Sequence, residues 1–188
     1  MNILIDLLPT KVEIDSKEYE INSNFRTSLL FSILMEDDDV GEEQKIIQAL
    51  NLYYPKIPAD INKAIEKIIW FYKCGKEDKK ASSNRNSTEK VLDYNVDADY
   101  IYSAFMSQYN IDLQDIEYLH WWKFRALFDS LDENNRLSKI IQYRSMDLTK
   151  IKDKEQKKFY KNMKKLYKID TISEEEKAEL EKWNNLLK

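Results

Sequence analysis

Apolar and polar residues alternate in two short segments near the start of the chain, and helical spacing follows them. Residues 12–14 and 19–21 read Val-Glu-Ile and Tyr-Glu-Ile around a polar turn at 15–18, which predicts a two-stranded β-hairpin. Because an isolated hairpin is only marginally stable in water, it should pack on helices or pair with another chain.

Three helices are predicted after the hairpin. The first spans about 25–36 behind the N-cap residue Asn24, and the second spans 42–53. The third opens at Pro58 or just after it, and Gly75 ends it. The apolar residues that define the faces of these helices are Leu29, Leu30, Ile33, Leu34, Ile46, Ile47, Leu50, Ile61, Ile65, Ile68, Ile69 and Tyr72.

A polar stretch at 76–90 contains no apolar residue larger than alanine. Such a segment buries too little surface to offset the entropy lost on ordering, so it is predicted to be a flexible linker. The sequence therefore predicts a mainly α protein in three parts: a hairpin with about three helices at 1–75, a linker at 76–93, and a bundle of about five helices at 94–188.

The pattern beyond the linker is helical throughout. One helix ends near Asn110, and Asp112 should cap a second helix that continues to about residue 131. A third helix should be short, because Arg144 interrupts its apolar face. A basic helix at 154–167 and a last amphipathic helix opened by a capping box at Ser173 complete the bundle. The apolar positions of these helices include Ile101, Ala104, Phe105, Tyr109, Ile116, His120, Phe124, Leu127, Leu131, Leu137, Ile140, Ile141, Leu180, Trp183 and Leu187.

The composition is typical of a helical protein and bears on its partners and its cellular location. The chain has 188 residues, two glycines, three prolines and a formal net charge of -4, which argues against coating nucleic acid with its whole surface. A single cysteine, no signal-like N-terminus and no long apolar run predict a soluble protein of a reducing cytoplasm. The acidic early chain and the lysine-rich stretch 150–168 indicate self-association, a charged partner or simply solvated helix faces.

Groups that could support catalysis are scarce. His120, the only histidine, has no second histidine or cysteine set with which to bind zinc, and a packed core histidine is the favoured interpretation. Cys74 lies at a helix C-terminus, where the dipole raises a thiol pKa. The acidic residues between 37 and 43 do not match a calcium loop. We therefore expect no enzyme activity, no cofactor and no metal site.

Residues 94–131 are dense in aromatic side chains and lack reactive groups, which favours packing or partner recognition. Tyr118, Trp122 and Arg125 share a helical face distinct from the Ile116–Leu127 face, so this helix either lies centrally in the bundle or docks a partner. The basic helix also permits a nucleic-acid interpretation, in which Lys157, Lys158, Lys161 and Lys165 contact phosphates.

Four segments resemble the bacteriophage "gene product fifteen" family. They are 97–105 (DADYIYSAF), 118–124 (YLHWWKF), 143–148 (YRSMDL) with 152–156 (KDKEQ), and the hairpin followed by Phe25-Arg26-Thr27. The resemblance runs from near the start of the chain to about residue 169. The block around His120-Trp121-Trp122 is long and unusual, so the match is specific.

The resemblance implies a role in the tails of phages and prophages of Gram-positive bacteria. Genes of this family lie between those for the tail tube and the tape-measure protein, which implies a tail-assembly chaperone in the host cytoplasm. Its expected partners are helical segments of the tape-measure protein and the tail tube protein. The candidate contacts are Tyr118, Trp121, Trp122, Arg125, Lys157, Lys158, Lys161 and Lys165. A nucleic-acid-binding module and a structural tail component are the alternatives.

Overall fold

The computed structural model describes residues 2–76 and 90–169, and within them the chain is mainly helical, as predicted. A two-stranded antiparallel hairpin precedes all the helices. The elements are β1 (Lys11–Ile14), β2 (Lys17–Glu20), α1 (Phe25–Glu36), α2 (Glu42–Tyr53), α3 (Ile61–Tyr72), α4 (Ala98–Tyr109), α5 (Trp121–Asp129), α6 (Arg136–Ser145) and α7 (Lys154–Leu166).

The hairpin closes through a two-residue turn rather than the four-residue turn expected. Val12 pairs with Tyr19 and Ile14 with Lys17, which leaves only Asp15 and Ser16 between the strands. Both turn residues have positive φ, 51° and 59°, which matches the right-handed twist of the strands. Val12 and Ile14 are buried, so β1 supplies the face of the hairpin that packs on the helices.

The first three helices begin and end close to the predicted residues. The side chain of Asn24 accepts a hydrogen bond from the Arg26 N–H (3.1 Å), as expected of an N-cap. The apolar face expected for α2 is buried only in part: Leu50 is buried, whereas Ile46 and Ile47 are exposed and Lys45 is buried instead. The Lys45 ammonium donates to the Met35 carbonyl (3.2 Å) near the end of α1, so its aliphatic stem can pack inward.

The helix predicted to start at Asp112 is wrong, since α5 begins nine residues later at Trp121. The Asp112 carboxylate accepts from the Gln114 N–H (2.8 Å) and closes a local turn instead. The Arg26 guanidinium then donates to the Leu113 carbonyl (2.7 Å). The Arg26 bond occupies a carbonyl that a helix would use internally, so the turn is not continued and residues 110–120 form a loop.

Residues from both sides of the predicted linker share one hydrophobic core. Phe25 of α1 stacks on Phe124 of α5 with ring centroids 5.0 Å apart, and Phe105 of α4 stacks on the same ring at 4.9 Å. Leu92, inside the predicted linker, packs against this core. The polar stretch 77–89 and the predicted last helix lie outside the described residues.

Candidate partner-binding surfaces

Trp121 and Trp122, two of the candidate partner contacts, are buried. Their relative exposures are 1% and 5%. The Trp121 indole N–H donates to the Tyr72 carbonyl (2.9 Å), and the Trp122 indole N–H donates to the Phe71 carbonyl (2.8 Å). Carbonyls in the last turn of a helix lack the usual partner four residues on. The Trp121 indole supplies a donor to the Tyr72 carbonyl, and the Trp122 indole adds a second donor to the Phe71 carbonyl, which also accepts from the Cys74 N–H (2.9 Å). Both tryptophans therefore hold the fold together in this conformation and offer no surface to a partner.

His120 has a structural role at the start of α5. Its Nδ1 accepts from the Trp122 N–H (3.1 Å) as the N-cap, so Nε2 carries the proton and donates to the Pro9 carbonyl (3.0 Å). Burial lowers the pKa of the imidazole below its ordinary value, and the Lys123 ammonium acts in the same direction. This arrangement agrees with the packed-histidine interpretation and ties the N-terminal segment to α5.

Tyr118 and Arg125 are more accessible than the tryptophans between them. The Tyr118 ring is about half exposed, although its hydroxyl is hydrogen-bonded to the Ser23 hydroxyl at 2.7 Å. The Arg125 guanidinium lies 5.6 Å from the Trp121 ring centroid and donates to the Tyr94 hydroxyl (3.2 Å). Tyr118 therefore retains a free aromatic face, whereas Arg125 is largely committed within the protein.

A buried ion pair between α4 and α6 escaped the sequence analysis. Arg144 donates from both terminal nitrogens to the Asp97 carboxylate (2.6 and 2.9 Å), and neither side chain is exposed to solvent. The same guanidinium donates to the Val91 carbonyl (3.1 Å) and to the Tyr167 carbonyl (2.5 Å) at the end of α7. Arg144 thus joins four segments of the chain, although its position in the sequence predicted only a break in an apolar face.

The basic helix α7 presents the predicted lysines to solvent. Lys157, Lys158, Lys161 and Lys165 are all exposed. No residue of α7 is buried, and its packing rests on Tyr143 of α6, which stacks on Tyr167 at 5.9 Å. Phe159 and Leu166 remain 49% and 67% exposed, so α7 carries an uncovered apolar edge beside its lysines.

Most of the exposed large apolar side chains lie in the first half of the protein. Among the described residues, twelve belong to residues 2–76 and four to 90–169, so the first part of the chain carries most of the apolar surface that a partner could contact. The most exposed are Leu4, Ile5 and Leu7, at 89%, 80% and 93%. We call residues 3–7 the N-terminal arm.

The arm has local order and a fixed base. The Asn2 carbonyl accepts from the N–H groups of Ile5 (3.0 Å) and Asp6 (2.8 Å), and the Asp6 carboxylate accepts from the Asn2 N–H (2.6 Å). The His120–Pro9 bond anchors the chain just beyond the arm. The apolar side chains are therefore held outward by a short turn, which reduces the entropy lost on binding a partner.

The remaining candidate chemistry is weak within the described residues. Burial raises the pKa of the Cys74 thiol to about 11, so the thiolate that a nucleophile requires is scarce at neutral pH. No group of three or more histidine, cysteine or acidic residues is assembled there that could hold a metal ion. No helix in residues 2–76 or 90–169 is long and apolar enough to cross a membrane.

The fold and its surfaces define a mainly helical protein with an exposed apolar arm and a basic helix. The chain belongs to the bacteriophage Gp15 protein family, whose match extends over residues 4–169. This membership confirms the resemblance found in the sequence and suggests a structural or assembly role in a phage. No curated protein and no solved structure matches the chain significantly.

Proposed function

We propose that this protein is a non-enzymatic tail-assembly chaperone that binds helical segments of the phage tape-measure protein in the host cytoplasm. The observation that carries the proposal is the exposed apolar N-terminal arm, in a protein of a bacteriophage family. A long amphipathic helix exposes an apolar stripe, and each Å² left in water costs about 25 cal/mol until it is covered. A protein that offers apolar side chains to such a stripe keeps it soluble.

The burial of Trp121 and Trp122 moves the proposed contact away from them. The proposal now uses the arm for apolar contact and the exposed lysines of α7 for acidic stretches of the partner. Tyr118 remains a candidate aromatic contact because its ring is open to solvent. The tail tube protein is a second proposed partner, since tube subunits that assemble around the tape-measure protein come close to any protein bound to it.

Co-expression with the tape-measure protein tests the proposal. The intact protein should increase the soluble fraction of the tape-measure protein, and the Leu4→Ser/Leu7→Ser variant should lose most of that effect. Burying a leucine stabilises a complex by about 1.5–3 kcal/mol, so losing two should weaken binding at least a hundredfold. The matched control is Lys56→Ser/Glu66→Ser, which changes two exposed polar residues. Failure of the intact protein to improve solubility would refute the proposal.

Nucleic-acid binding is the second candidate, because Phe159 is half exposed beside four exposed lysines. It requires binding to DNA or RNA at low salt that weakens steeply as salt is added. A gel-shift titration at low salt with the intact protein distinguishes the two candidates. Absence of a shift there would leave the chaperone proposal as the better account of α7.

A further inference from the structure

The apolar edge of α7 is a candidate docking surface, since Phe159 and Leu166 are 49% and 67% exposed. Phe159 and Leu166 are seven residues apart, which is two helical turns, so they lie on one line along the helix. Met163 lies between them and is partly buried. The rest of the helix surface is basic, with six lysines and one glutamate between 154 and 166. A suitable occupant therefore combines an apolar stripe with negative charge.

The residues that follow α7 in the chain have this combination. Residues 170–188 contain six acidic and three basic residues, and their sequence predicts an amphipathic helix at 173–187. Its apolar stripe includes Leu180, Trp183 and Leu187. Leu180 and Leu187 are also seven residues apart, so their spacing equals that of Phe159 and Leu166.

We propose that residues 173–187 dock on α7 of the same molecule as an antiparallel helix. In this arrangement Leu180 packs against Leu166, Leu187 packs against Phe159, and Trp183 lies near Met163. In this register Glu181 lies opposite Lys165, while the glutamates at 174–176 extend past the end of α7. Residues 173–187 contain five acidic and two basic residues and α7 contains six basic and one acidic, so the two docked segments have opposite net charges.

The chain geometry permits this docking. About six residues connect the two segments, and at about 3.3 Å each they reach roughly 20 Å, twice the 8–10 Å spacing of packed helices. The Arg144–Tyr167 bond fixes the end of α7, so the chain leaves it at a defined place. A connection this short gives an effective concentration in the millimolar range, which favours docking within one molecule over docking between two.

Disulfide trapping in the full chain tests the arrangement. In a Cys74→Ser background, Leu166→Cys/Leu180→Cys should oxidise to an intramolecular disulfide at least tenfold faster than Lys161→Cys/Glu175→Cys. The control pair has the same separation of fourteen residues, but Lys161 lies on the lysine face and the antiparallel register holds Glu175 far from it. Equal rates for the two pairs, or a disulfide-linked dimer as the main product, would overturn the inference.

A second measurement avoids new cysteines. The indole N–H resonance of Trp183, assigned with Trp183→Phe, should shift in Phe159→Ser/Leu166→Ser and stay unchanged in Lys154→Ser/Lys158→Ser. An unmoved resonance in the apolar variant would contradict docking. The co-expression test depends on Leu4 and Leu7 of the N-terminal arm, whereas these tests depend on the apolar edge of α7 and on residues 173–187, so the two proposals can fail independently.

Discussion

Replacing Arg144 with methionine should destabilise the protein more than almost any other change of a charged residue in it. The substitution leaves the Asp97 carboxylate buried without its counter-charge, although the Asp93 N–H still donates to it at 3.0 Å. It also removes the donors of the Val91 and Tyr167 carbonyls. Breaking a buried ion pair from one side costs about 3–5 kcal/mol, because an uncompensated charge stays inside the protein.

Urea denaturation measures this effect as a change in the free energy of unfolding. For a protein of this size a loss of 3–5 kcal/mol lowers the Tm by roughly 6–20 °C. The control is Lys11→Met, which breaks the largely exposed pair with Glu18 (3.1 Å) and should cost less than about 1 kcal/mol. An effect of Arg144→Met as small as that of the control would refute the reasoning.

A double-mutant cycle separates the pair from the other bonds of Arg144. Asp97→Leu removes the acid alone, and combining it with Arg144→Met removes both charges. The double variant should be less destabilised than the sum of the two single variants by about 2 kcal/mol or more, since each single variant leaves one buried charge. Additive effects would show that the charge pair is not the source of the loss.

Three further predictions follow from single contacts. Burial lowers the pKa of His120 below its ordinary value of 6.5, so the unfolded chain binds the proton more readily than the folded protein. The free energy of unfolding should therefore fall as the pH drops below about 6.5. In urea titrations at several pH values, His120→Asn, which keeps an N-cap oxygen, should flatten this dependence. Gly75→Ala should lower the free energy of unfolding by about 1–2 kcal/mol or more, because Gly75 has a φ of 67° and an added Cβ would lie 2.9 Å from the Trp122 ring. Gly41→Ser should raise it by about a few tenths of a kcal/mol, because serine is a better N-cap for α2. Thermal denaturation that ranks the two variants the other way would contradict this. Trp122→Ala should lower the free energy of unfolding by about 3–5 kcal/mol, and an unchanged stability would show that the indole is not part of the core.

The features that sequence predicted well are local ones. The hairpin, the Asn24 cap and the end of α4 at Asn110 each depend on residues within a turn or two of each other, and Asn110 has the left-handed conformation (φ 53°) common at helix ends. The alternation or capping pattern of a few neighbouring residues is enough to specify such features. The mainly helical architecture was predictable for the same reason.

The features that sequence missed depend on partners far along the chain. Arg144 meets Asp97 at a separation of 47 residues, and His120 meets Pro9 at a separation of 111. Helical periodicity placed Arg144 on an apolar face correctly, yet no local pattern identifies the carboxylate that makes its burial tolerable. In the same way, the aromatic density near Trp122 gave no sign that the end of α3 offers acceptors for both indoles.

The bonds between residues 22–26 and the loop before α5 have a consequence for biosynthesis. The Phe25 N–H donates to the Leu119 carbonyl (2.8 Å) and the Trp121 N–H donates to the Ser23 carbonyl (2.8 Å), so the early chain finds these partners only after about a hundred more residues are made. At 5–20 residues per second that interval lasts on the order of several seconds. During it, the Phe25 N–H and the Ser23 carbonyl of the nascent polypeptide lack these partners, so completion of this part of the fold depends on the pace of translation.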